Sequence, residues 1–145
     1  MAFASIEAAL GWLDGHIDYE RVAPTRRALP SLSGVQAALA LLGSPESSYP
    51  AIHITGTNGK GSTSAMATAL LLESGLSVGT YTSPDLHRVN ERIAVGGEPI
   101  DDAQLVGLLD RLRDLEPALD EPLTRFELLT VAGLLHFADA AVDVA

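Results

Sequence analysis

The chain has 145 residues, about one domain's worth, is 47% hydrophobic and carries a net charge of −10. Such acidity argues against binding nucleic acid through its phosphates, which calls for a basic surface, and no apolar run approaches the ~18 residues of a membrane span. The absence of cysteine rules out a disulfide scaffold and a Cys-ligated zinc, and fits a reducing cytoplasmic setting.

The N-terminal stretch MAFASIEAALGWLDGHIDYERV has no basic run and no cleavage site, so no signal peptide is expected. Residues 4–14 read as a short helix with Ile6, Leu10 and Leu13 on one stripe, and residues 16–30 as irregular. Residues 31–42 place Leu32, Val35, Leu39 and Leu42 at helical spacing, with Gly43 and Pro45 as the stop. AIHIT (51–55) is a β-branched run that reads as a buried strand. A glycine-rich loop follows, then a helix over Lys60–Glu73, then a second strand over 77–83 ended by Pro84. Strand, loop, helix and strand in this order form a βαβ unit, whose strands should run parallel.

ERIAVGGEPI (91–100) reads as a hairpin turning at Gly96 and Gly97. Asp101 or Asp102 can cap the next helix, whose Leu105, Leu108, Leu109, Leu112 and Leu115 make one apolar face. Thr124, three residues before Glu127, has capping-box spacing for a helix reaching about residue 138. AVDVA (141–145) looks like the start of a third strand, which suggests a fragment of a longer chain.

GTNGKGST (56–63) carries the chemistry. A loop between a parallel strand and a helix aims unpaired N–H groups and the positive end of the helix dipole at one spot. Glycines let the backbone approach a ligand closely. Lys60 adds a full charge within reach of phosphates, and the hydroxyls of Ser62 and Thr63 can join a magnesium shell. The general phosphate-loop pattern G-x-x-x-x-G-K-[ST] fails at two positions, because Ile54 stands six before the lysine and Gly61 directly after it. A ligand-free glycine turn with a capped helix therefore stays open on spacing alone. Arg21, Arg26, Arg27, Lys60, Arg88 and Arg92 are grouped around the loop. They fit either an anionic small-molecule site or ordinary surface decoration.

GTNGKGST resembles the nucleotide loop of the Mur ligase superfamily, and the Gly-Ser after the lysine resembles its folylpolyglutamate synthase and dihydrofolate synthase branch. YTSPDLHRVNERI (81–93), FELLT (126–130) and SLSGVQAALALLGSP (31–45) are similar to that branch in the same order and spacing. The resemblance implies an incomplete α/β, three-layer parallel-sheet P-loop-type fold, the beginning of a Mur-like ATP-binding domain without the C-terminal glutamate ligase domain. It implies an ATP-dependent ligase that adds L-glutamate to dihydropteroate or a reduced folate through an acyl phosphate, cytoplasmic and monomeric at full length. Its cofactors would be ATP and Mg2+.

By the same resemblance, Gly56, Thr57, Asn58, Gly59, Lys60, Gly61, Ser62 and Thr63 would bind ATP, with Lys60 on its outer phosphates. Ser62 and Ser83 would be magnesium ligands. Pro84, Arg88, Arg92, Thr124, Phe126 and Glu127 would lie by the pterin substrate. Each has a plainer reading: Ser83 as the start of a turn, Arg88 and Arg92 as solvent-facing, and Thr124, Phe126 and Glu127 as a helix cap with a core Phe. His53 reads as a core histidine, and no His pair has metal-site spacing. The family's second metal also needs a Glu and a His that would lie beyond Ala145, so these 145 residues alone are expected to be inactive and to expose apolar surface. Other readings are a nucleotide-binding module without catalysis, another Mur-type amino-acid ligase, or a small-molecule P-loop kinase.

Overall fold

A computed structural model describes residues 2–20 and 31–145. Most of the irregular stretch expected at 16–30, with Arg21, Arg26 and Arg27, lies outside them. Helix α1 (Ile6–Leu13) starts where the Ser5 hydroxyl accepts the Ala8 N–H, and buries Ala9 and Leu13. Helix α2 (Ser33–Leu41) is shorter than the apolar spacing suggested and ends at Gly43 and Ser44, both left-handed (φ +84° and +56°). Helix α3 (Lys60–Glu73) has the expected bounds. Asp101 rather than Asp102 caps helix α4 (Asp102–Leu115), in a reciprocal box with Gln104. Thr124 and Glu127 do the same for helix α5 (Arg125–Asp139).

The sheet departs from expectation in its detail. Strands β1 (Gly79–Tyr81), β2 (Ile93–Val95) and β3 (Glu98–Pro99) form an antiparallel sheet in that order. The β2–β3 turn falls at Gly96 and Gly97, with φ of +64° and +85°, as the glycine pair demands. Residues 51–55 form no regular strand, and they do not pair with β1. Residues 142–145 run between the two. Val144 bridges Val78 in parallel. Ala145 donates to Pro50 O (3.0 Å) and accepts from Ile52 N–H (2.8 Å), which is also the parallel pattern. The chain follows the path of a βαβ unit with residues 142–145 between its two arms, but its first arm is not a regular strand. Residues 51–55 have apolar content enough for a strand, but a regular ladder needs more partner than Ala145 supplies.

The core lies between α1, α4, α5 and the antiparallel sheet, where Leu13, Ile93, Leu105, Leu109, Leu128, Leu129 and Phe137 are fully buried. Gly79 lies flat under Phe137, where a Cβ would come within 2.5 Å of the ring. The α3 side is the opposite: none of its residues is buried, and Met66 and Leu70 are 61% and 71% exposed.

Candidate nucleotide and substrate site

The loop behind α3 is built from two glycines in conformations that L side chains avoid, Gly56 at φ +146° and Gly59 at φ +78°. Gly59 is the N-cap of α3 and has no side chain to offer, so the first turn has no side-chain cap. In α4 and α5 the Asp101 carboxylate and the Thr124 hydroxyl fill that place. The N-terminus of α3 is therefore left for an outside acceptor. Nothing lies within 4 Å of where a Cβ of Gly59 or Gly61 would stand, so the approach to the loop is open. Lys60 folds back so that Nζ donates to Gly56 O at 2.6 Å, which holds its charge over the loop. Thr63 Oγ1 donates to Gly59 O at 2.9 Å and braces the loop from behind. Ser62, like Thr63, is an exposed hydroxyl of the first turn.

Sheet register relates this loop to the one carrying Ser83. Ala51 stands opposite Ala145 and Val78 opposite Val144. Ala51 is then level with Gly79, and both segments run on from this level toward their loops. The two segments leave the sheet side by side at their carboxyl ends, two strand spacings or about 10 Å apart. Carboxyl ends of parallel strands are where open α/β sheets place ligands. A hydrogen bond between Thr68 and Thr80 (2.8 Å) ties α3 to β1 below this point.

The loop after β1 begins with a cis Ser83–Pro84 peptide. The NER of VNERI (89–93) is its scaffold. One Glu91 carboxylate accepts the N–H groups of Leu86 (2.9 Å), His87 (3.2 Å) and Arg88 (3.2 Å), and these bonds hold its pKa below the ordinary carboxylate range. Buried Asn90 donates to Ile100 O (2.9 Å) and Asp102 Oδ1 (3.0 Å). The two arginines expected by the pterin substrate differ in burial and partners. Arg88 is exposed and pairs with Asp102 at 2.7 Å. Arg92 is only 3% exposed and pairs with Glu20 (2.7 Å) and Asp85 (2.5 Å), so it is not the solvent-facing residue of the plainer reading. Burial pushes the Asp85 carboxyl up, but the Arg92 hydrogen bond and charge outweigh it and the net shift is down.

At the start of α5, Glu127 Oε2 accepts both the N–H and the hydroxyl of Thr124 at 2.8 Å, so the polar atoms of this pair serve the cap. Phe126 remains 38% exposed and meets Tyr81 edge to face, centroids 6.4 Å apart. Burial raises the Tyr81 phenol pKa, against the opposing effects of Thr130 and Arg92. His53 is exposed, not core, because its segment is paired so sparsely. Among the described residues no cluster of three His, Cys, Asp or Glu could hold a metal, and no helix is long and apolar enough to cross a membrane.

Sequence reading missed Glu20, Tyr81, Asp85, Asn90 and Glu91. Glu91 had a local signal, lying three residues after the Arg88 that starts its turn. Glu20, as a partner of Arg92, had none, because it is far away in the chain.

No profile of a known protein family matches the chain. Among curated proteins, it is 36% identical over 141 residues to the dihydrofolate synthase/folylpolyglutamate synthase of Bacillus subtilis, covering 94% of this chain and 31% of that protein. The enzyme of the same name from Mycobacterium tuberculosis is 41% identical over 133 residues, covering 84% of this chain and 27% of its own length. The crystal structure of Thermotoga maritima folylpolyglutamate synthase superposes with a TM-score of 0.84 at 32% identity, over 97% of this chain and 32% of that one. The chain's homologues form the folylpolyglutamate/dihydrofolate synthase family. The chain's α/β architecture is the Mur-ligase-like fold of that family, although it spans only about a third of the relatives' length. Another family structure, the M. tuberculosis folylpolyglutamate synthase complexed with ADP and AMPPCP, matches with a TM-score of 0.80 at 38% identity, over 98% of this chain and 30% of that one.

Proposed function

We propose that loop 56–63 binds Mg·ATP within a ligase that joins L-glutamate to dihydropteroate or a reduced folate. The observation that carries the nucleotide half is the start of α3, without a side-chain cap, behind two glycines of positive φ, with the chain's one lysine held over it. The fit is chemical as well as geometric. The N–H groups around residues 58–61 can donate to phosphate oxygens, and Lys60 can turn from Gly56 O to the outer phosphates. Ser62 on one loop and Ser83 on the facing loop offer the hard oxygens that magnesium prefers. Bound magnesium would supply charge neutralisation on the phosphates. Relatives whose structures are described as complexes with ADP and AMPPCP, and as an AMPPCP–folate complex, support this reading.

In the reaction, the substrate carboxylate takes the γ-phosphoryl group and ADP leaves. The glutamate amine then attacks the acyl phosphate, phosphate leaves, and an amide bond and a released proton remain. The work asked of the protein is alignment and charge neutralisation. Phe126, Pro84 and Arg88 would border the pterin substrate, while Thr124 and Glu127 hold the helix start beneath it. The ligase is proposed to act as a cytoplasmic monomer and to need residues beyond these 145 for turnover.

The test is the full-length protein with ATP, magnesium, glutamate and either dihydropteroate or tetrahydrofolate. ADP formation that depends on both the pterin and glutamate is the expected result. ATP binding without such turnover would favour a nucleotide-binding module that does no chemistry.

A further inference from the structure

Arg92 grips both ends of the short turn that contains Ser83. Its main-chain carbonyl accepts the Thr82 N–H at 2.9 Å, just before Ser83. Its side-chain Nε donates to Asp85 Oδ1 at 2.5 Å, just after Pro84. The proline ring fixes φ between these two anchors, so little freedom is left at Ser83. The other arm of the guanidinium, Nη2, reaches Glu20 Oε2 at 2.7 Å and ties the turn to the segment after α1.

We propose that Arg92 is a positioning residue, which sets the place of Ser83 through Asp85 and Glu20 and does not itself bind the anionic substrate. This rests on the reading that Ser83 lies at the reacting centre. Two of the guanidinium nitrogens, Nε and Nη2, are already taken by carboxylates of the chain, which leaves Arg92 little to offer a substrate carboxylate or phosphate. The arrangement is also poor glue. Among the described residues Arg92 Nη1 is buried without a hydrogen-bond partner, and a buried ion cluster with an unmatched donor generally stabilises less than apolar packing of the same volume. What the planar fork provides is direction, since it meets two carboxylates from separate segments at fixed angles.

The test compares Arg92→Lys, Asp85→Asn and Glu20→Gln in the full-length protein by steady-state kinetics and thermal melting. Misplacing a reacting group by about 1 Å lowers turnover about 100-fold. A loss of kcat of that order is expected in Arg92→Lys and Asp85→Asn, and a smaller one in Glu20→Gln, with KM for ATP and for the pterin changed less than about threefold. The Asp85→Asn/Arg92→Lys double variant should be no worse than the poorer single one. If Arg92 binds substrate directly, freeing it from Asp85 or Glu20 will leave kcat intact and Arg92→Lys will raise KM alone; that result overturns the proposal. A lower melting temperature with unchanged kinetics overturns it as well. Wild-type protein without glutamate-dependent turnover would contradict the ligase reading instead. The clamp would then be read by amide exchange, with residues 82–88 expected to exchange about tenfold faster in Asp85→Asn while α4 is unchanged. Equal exchange at 82–88 would overturn it.

Discussion

Lys60, Gly79 and Arg92 show how much a single position can decide. Lys60 is a mobile charge held by one carbonyl, and a charge-assisted bond to phosphate is worth about 1.5–3 kcal/mol. Lys60→Ala should therefore weaken Mg·AMPPCP binding by at least about tenfold with no change in the unfolding midpoint, read by calorimetric titration and urea denaturation. Gly79 is a packing limit. A methyl there would overlap the Phe137 ring, so Gly79→Ala should destabilise by about 1–3 kcal/mol, seen as a lower urea midpoint at constant slope. The turns at Gly56 and Gly59 and the place of Lys60 at the start of α3 were legible in the sequence because loop geometry is local. Arg92 was visible as a cation near the site, but its burial was not, because its partner Glu20 comes from a distant segment.

At the scale of elements, local rules succeeded where local bonds dominate. The cap of α5 is one such case: Thr124 and Glu127 satisfy each other within four residues. Thr124→Ala should cost about 1 kcal/mol, measurable by urea unfolding, and should loosen the helix start that carries Phe126. The β2–β3 turn was legible for the same reason, since two adjacent glycines select a left-handed turn. Strands were harder. Residues 51–55 have the composition of a strand yet, among the described residues, their backbone pairs only with Ala145, and no pattern in their own sequence reveals that residues 142–145 come between them and β1. Strand order is a non-local property, and it is what puts the loops of Gly56 and Ser83 two strands apart instead of one.

For the whole molecule, burial is lopsided, with a dense core around α5 and an apolar helix, α3, left open to solvent. Ile52, Met66 and Leu70 stand on that open side, so the chain should bind a hydrophobic dye such as ANS in its native state; a sharp cooperative melt with no dye binding would contradict this. Stability should also depend on pH through His136. Burial lowers its pKa below the ordinary 6.5, against the opposing charges of Asp139 and Asp101. The unfolded chain then takes up the proton first as pH falls through about 6.5, so stability is full above that value and declines below it. His136→Gln should flatten the decline in the urea midpoint between about pH 7 and 5.5, whereas an equally steep decline in the variant would assign it to other groups. The central claim is that loop 56–63 takes Mg·ATP, and the most direct measurement is calorimetric titration of Mg·AMPPCP into the wild-type chain and its Lys60→Ala variant. Magnesium-dependent binding that is lost in a folded Lys60→Ala variant is the expected result. No binding by the folded wild type, or equal binding by both, would contradict the account.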